Sequence, residues 1–155
     1  MHPTFAQYTT GLEASLQRLL AMPPIKPVRV PPGLPAAGVY LFTEGDTHLY
    51  VGRSNNLRRR MQRHGSQGAT HKQAAFAFRL ARTETGNLRA TYKTEGSRAN
   101  LMTNPDFSAS FVGAKQRIQG MDLRYVEESD PLRQTLLEVY VAVVLKTPFN
   151  DFDNH

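Results

Sequence analysis

The sequence predicts a small α/β (α+β) domain. A three-stranded antiparallel or mixed sheet is flanked by helices in the order ββααβα, after an N-terminal helix and a proline-rich arm. Three observations lead there. Residues 38–54 read as a β-hairpin, because GVYLFTE and HLYVGRS alternate on either side of a turn at Gly45-Asp46. An arginine-rich segment with helical spacing follows at once, and a late apolar helix follows an alternating strand at 121–127. With 155 residues, 40% of them hydrophobic and 21% charged, the chain can build one packed core and is too apolar to be disordered.

Taken in order, residues 4–20 place Leu12, Leu16, Leu19 and Leu20 at helical spacing, so one amphipathic helix is expected. Six of the ten prolines then fall between Pro23 and Pro35, a stretch that cannot enter a helix interior or a central strand and should run extended over the surface. The boundary falls here, giving an arm over 1–35 and a core domain over 36–155. In the hairpin, Val39 and Leu41 share one face and Tyr40 and Phe42 the other. By the same rule Leu49 and Val51 oppose Tyr50. If the turn pairs residue 40 with 50 or 52, Tyr40 and Tyr50 stand on one face with open space beside Gly52; a register offset by one separates them.

Ser54 or Asn55 should cap the next helix, NNLRRRMQRH. Leu57, Arg60, Met61 and His64 form one stripe of it, so Arg60 and His64 are drawn inward with the two anchors, while Arg58, Arg59 and Arg63 point outward. A second helix is expected over 71–83, a loop or broken helix over 86–104, and a helix over 106–119 ending at Gly120. Residues 121–127 alternate as a strand. Asp130-Pro131 opens a last helix that runs to Lys146 and is stopped by Thr147-Pro148.

The formal charge is +6, but it is not spread evenly. Between Asp46 and Glu84 there are eight basic residues and no acidic one, whereas 121–155 is net acidic. A one-signed, arginine-dominated block inside a folded domain reads as a polyanion face, since the planar guanidinium fork suits phosphate. The plainer alternative is a solvated helix surface balanced by the acidic C-terminal stretch. Cysteine is absent, which excludes disulfides, thiol catalysis and every cysteine-based metal centre. Neither a membrane span nor a secretory leader is visible, so a cytoplasmic protein is expected.

Glu138 is the one carboxylate in the apolar run LLEVYVAVVL. Burying it unpaired would be costly, so it should meet an arginine, a metal ion or a proton. An inward arginine such as Arg60 is the structural choice. A hard divalent cation is the other, because Mg²⁺ often takes a single protein carboxylate together with waters and substrate phosphate.

Gly38-Val39-Tyr40 followed by Tyr50-Val51-Gly52 resembles the signature of the GIY-YIG endonuclease superfamily, with valine in place of isoleucine in both triplets. Arg60 lies eight residues after Gly52, where that family has its helical arginine, and His64 follows where many members carry histidine. Glu138 on a late helix is similar to the family's metal-binding glutamate, and Pro148-Phe149-Asn150 to its Pro-x-(aromatic)-Asn ending. The stretch FAFRLAR resembles small bacterial members related to restriction endonucleases. The likeness spans about residues 36–152.

The resemblance implies hydrolysis of a DNA phosphodiester with one divalent ion, Mg²⁺ or Mn²⁺. Glu138 would hold the metal, Arg60 would stabilise the scissile phosphate, and Tyr40 would take a proton from the attacking water. Tyr50 would orient water or phosphate, and the two tyrosine roles could be exchanged. His64 would hydrogen-bond a tyrosine or phosphate, and Asn150 would position Glu138 or substrate. Arg53, Arg58, Arg59, Arg63 and Lys72 would contact DNA. The alternative is a basic nucleic-acid-binding module on the same scaffold that does not cut.

Overall fold

Alternation along the hairpin gives the sheet two apolar faces, and each remaining element packs on one or the other. The computed structural model describes residues 1–87 and 97–152. In chain order the elements are α1 (Pro3–Thr9), α2 (Leu12–Ala21), a short 3₁₀ turn (Pro27–Arg29), β1 (Gly38–Glu44), β2 (Thr47–Ser54), α3 (Leu57–Gly65), α4 (Ala75–Thr85), α5 (Arg98–Thr103), α6 (Pro105–Gln119), β3 (Asp122–Glu127) and α7 (Pro131–Leu145). The sheet is antiparallel throughout, with strand order β2-β1-β3. The expected architecture of sheet and flanking helices is the observed one.

On one face Tyr40, Phe42 and Tyr50 pack with Leu57 and Met61 of α3, Phe76 and Phe78 of α4 and Phe107 of α6. On the other, Val39, Leu41 and Val51 pack with Leu12, Leu16 and Leu19 of α2 and Leu137 and Val141 of α7. Each fully buried leucine or valine contributes roughly 1.5–3 kcal/mol relative to exposure. The N-terminal segment therefore supplies part of the second core. Arg133 ties it down further, donating to the carbonyls of Gln7 (3.1 Å) and Thr10 (3.0 Å), and Tyr140 of α7 donates to Glu13.

Several local expectations are corrected. The single helix over 4–20 is two helices, because Gly11 takes a left-handed conformation (φ 86°) that a continuous helix cannot accept. Residues 39–42 alternate as expected, but a bulge after Phe42 pairs Thr43 with His48 and leaves Leu49 as the extra residue. Leu49 is thereby turned into the same core as Tyr50 instead of joining Val51. The cap of α3 is Asn56, which accepts from the Arg59 amide at 3.2 Å, not Ser54 or Asn55. The second helix begins at Ala75 rather than at 71. Within the 86–104 stretch α5 covers Arg98–Thr103, and residues 88–96 lie outside the described residues. Helix α7 ends with Lys146 in the left-handed region (φ 53°).

Both outer strands are covered. The proline-rich arm runs along β3, where Ile25 and Leu123 exchange two backbone hydrogen bonds of 2.9 Å. The chain after α7 returns along β2, the Phe149 amide donating to the Leu49 carbonyl at 3.1 Å. These contacts pair part of each edge, the feature through which sheets associate. Among the described residues no helix is long and apolar enough to cross a membrane.

Candidate functional site

The register decides where the two hairpin tyrosines go. Tyr40 pairs with Gly52 and Phe42 with Tyr50, so Tyr40 and Tyr50 stand diagonally on one face with ring centroids 6.5 Å apart. Gly52 is required by what lies over it: a Cβ there would run into the ring and hydroxyl of Tyr40. Helix α3 lies across this face, anchored by the fully buried Leu57 and Met61. The stripe they define brings Arg60 and His64 inward as expected. Arg60 is half-buried and donates to the Gln73 carbonyl at 3.2 Å.

His64 is completely buried, with its ring 5.3–5.5 Å from those of Tyr40, Phe42 and Tyr50. Its Nε2 is hydrogen-bonded to the Tyr40 hydroxyl at 2.6 Å, while Nδ1 is buried without a partner. Burial, reinforced by the charge of Arg60, pulls the imidazole down to about 3, so it is neutral near pH 7. Burial also pushes the phenol of Tyr40 well above its ordinary value, with the nearby charge of Tyr50 adding to this and that of Arg60 opposing it. Tyr50 is raised by the same cause, against the charges of Arg79 and Arg60.

Glu138 reaches the same place from α7, half-buried. Burial raises its carboxyl above the usual range, and Arg53 first, then Arg79 and Arg60, oppose that rise. Its ion-pair partner is Arg53, with Nε 2.9 Å from Oε2, and not the inward Arg60. Arg53, expected among the DNA-contacting residues, follows Gly52 on β2, the strand on which α7 packs. Helix α7 is also less enclosed than its apolar sequence suggests, since Leu137, Val141 and Ala142 are buried while Val143 is 64% exposed.

Tyr40, Tyr50, Gly52, Arg53, Ser54, Arg60 and Glu138 together line an open hollow of about 390 Å³. His64 stands behind Tyr40, outside that lining. Asn150 is not in it either. It takes the place of a neighbouring strand on Val51, accepting from the amide at 2.9 Å and donating to the carbonyl at 2.7 Å. Thr147 fixes the amide by donating to Oδ1 at 2.7 Å. Of the remaining cationic candidates, Arg58, Arg59 and Lys72 are exposed and Arg63 is half-buried, all outside the hollow.

Ser54 and Arg79 escaped the sequence reading. Arg79 donates to the Phe149 carbonyl at 2.6 Å, and its charge acts on both Tyr50 and Glu138. Its one legible signal was membership of the basic block. Among the described residues there is no cluster of three or more His, Asp or Glu side chains able to hold a metal, and Glu138 is the one carboxylate in the hollow. That donor set is thin for zinc, which prefers several nitrogen or sulfur ligands, and fits Mg²⁺ or Mn²⁺ completed by water and phosphate oxygens.

Residues 36–98 match the family model of the GIY-YIG catalytic domain. The segment belongs to the GIY-YIG superfamily. The family is one of nucleases, phosphodiester hydrolases that act on DNA. The matched GIY-YIG segment holds Tyr40, Tyr50, Arg60 and His64 and stops before Glu138, which the fold brings to the hollow, and Asn150, which it brings to the backbone of Val51. Searches of curated proteins and of solved structures return no significant match.

Proposed function

We propose that the chain is a DNA endonuclease dependent on a single divalent ion, Mg²⁺ or Mn²⁺, held by Glu138. The observation that carries this is the convergence, on one hollow, of a half-buried carboxylate, a guanidinium and two buried phenols from four different elements. A binding module has no need for a raised carboxyl and a phenol locked to a neutral imidazole. When bound, the ion supplies charge stabilisation at the scissile phosphate and its leaving oxygen.

The residues of the chain divide the remaining work. Arg60, permanently charged, binds a non-bridging phosphate oxygen and stabilises the charge that grows there. Tyr40 acts as the phenolate: its hydroxyl proton leaves through the hollow to solvent. The phenolate takes a proton from the attacking water as the water oxygen bonds to phosphorus, and the departing sugar oxygen is protonated by solvent. An unpartnered buried N–H is rarer than an unpartnered lone pair, so we assign the proton of His64 to Nε2, which donates to Tyr40. That bond favours the phenolate and leaves the Tyr40 hydroxyl hydrogen directed at the hollow. Tyr50 orients the water or phosphate, and Asn150 holds the Tyr50–Gly52 backbone in register. Arg53 keeps the Glu138 carboxylate aligned until a phosphate competes for its guanidinium. The exposed Arg58, Arg59 and Lys72, with Arg63, hold the flanking DNA.

Supercoiled plasmid incubated with Mg²⁺ or Mn²⁺ tests this reading. Nicking or linearisation is expected, lost in EDTA and in Glu138→Ala with DNA binding retained. Tyr40→Phe should cost at least about 100-fold in rate, as removal of a general base does, and more than Tyr50→Phe. Binding without cutting under every metal condition would instead favour a non-catalytic DNA-binding module, and a larger loss in Tyr50→Phe would exchange the tyrosine roles.

A further inference from the structure

We propose that Arg79, Arg82 and Arg98 form a second phosphate subsite, which takes a backbone phosphate of the bound DNA strand next to the scissile one. The proposal rests on the nuclease reading for its ligand and extends the site along α4. Arg79 joins the two sites. Its hydrogen bond to the Phe149 carbonyl places it behind the ring that packs on Phe76 (5.7 Å), and Phe76 in turn stacks on Tyr50 at 4.8 Å and 7°. Arg79 therefore stands at the Tyr50 end of the hollow.

One helical turn further along α4, Arg82 is 7% exposed. Its Nε donates to the Asn87 carbonyl at 2.6 Å, and its Nη2 is buried without a hydrogen-bond partner. Arg98 approaches from α5, and both guanidiniums sit over one buried ring, that of Phe78, at 6.0 Å and 5.1 Å. The charge of Arg79 bears on both, and each lowers its hold on its proton through burial first and like charge second; Asp151 offsets part of this at Arg82. Three guanidiniums this close, one with a buried donor left over, gain from compensating negative charge beyond what Asp151 supplies. A phosphodiester offers the acceptors that such forks fit, and the cluster adjoins the hollow at Tyr50, which interacts electrostatically with both Arg79 and Arg98.

The test is a salt titration of DNA binding in EDTA, by fluorescence anisotropy, with a labelled duplex carrying 5′-hydroxyl ends so that only internal phosphates are offered. Between roughly 50 and 200 mM salt, Arg98→Gln should bind more weakly and lower the slope of log K against log salt by about 0.9, the share of one phosphate contact. Arg98→Lys, which keeps the charge, should restore the slope. Arg82→Gln should act like Arg98→Gln where it remains folded, and the half-buried Arg98 carries the test if it does not. A folded Arg98→Gln protein with unchanged slope and affinity overturns the subsite, whether or not its melting temperature has moved. Cleavage is not used, so the two readings separate: an intact slope with plasmid nicking removes the subsite alone. A lowered slope in a protein that never nicks removes the endonuclease reading alone.

Discussion

The imidazole of His64 has lost all contact with solvent and holds its proton only below about pH 3, against an ordinary 6.5. The unfolded chain takes up that proton as pH falls through 6.5, while the folded chain does so only near 3. The folded state thus binds fewer protons throughout this window, and its stability, full above 6.5, drains as pH falls towards 3. The loss from this one side chain reaches about 2 kcal/mol at pH 5. Replacing His64 with Phe should flatten the fall in melting temperature between about pH 7 and pH 5, before most carboxylates titrate. Parallel curves for the two proteins would show that His64 is not the group that charges on unfolding. The same substitution removes the hydrogen bond to Tyr40, so cleavage should fall along with the pH dependence.

Among the elements, the return of the chain after α7 matters most to the site. Asn150→Ala would strand the amide and carbonyl of the buried Val51 and release the chain from β2. A cost of about 2 kcal/mol, or roughly 4–8 °C in melting temperature, is expected from the lost hydrogen bonds. Cleavage should suffer beyond that, because Val51 lies between Tyr50 and Gly52. A variant with unchanged melting temperature would show that water replaces the clamp. What was legible in the sequence at this scale was local. Alternation placed Tyr40 with Phe42, and a three-four spacing placed Arg60 and His64 beside Leu57 and Met61, because each depends only on the geometry of a single strand or helix. The bulge at Leu49 depends on the partner strand, and the Arg53–Glu138 pair depends on how α7 lies across β2. Neither is encoded in a short window. Asn150 was visible as a site residue, yet its backbone partner 99 positions away was not.

At the scale of the whole molecule, the sheet is held between two layers of different make-up. Aromatic rings crowd the face that bears the site, and aliphatic side chains from α2 and α7 cover the other. Removing residues 1–22 would take Leu12, Leu16 and Leu19 out of this core and bare the parts of β3 and α7 on which α2 packs, at roughly 1.5–3 kcal/mol for each side chain exposed. The shortened chain should be insoluble or melt far below the intact one in a thermal scan; a soluble product with an unchanged melting temperature would mean that this layer is dispensable. The charge distribution was legible as a total, as a block and in the setting apart of Arg60, whereas the placing of Arg53 against Glu138 and of Arg79 behind Phe149 came only with the fold. The tie between Val51 and Asn150 also has a temporal side. A ribosome releases the arginine block first and Glu138 roughly 4–16 s later, at ordinary elongation speeds. Throughout that interval the nascent chain carries its arginine block while lacking the carboxylate and the clamp. A chain still being made therefore carries the cationic half of the candidate site before the acidic half.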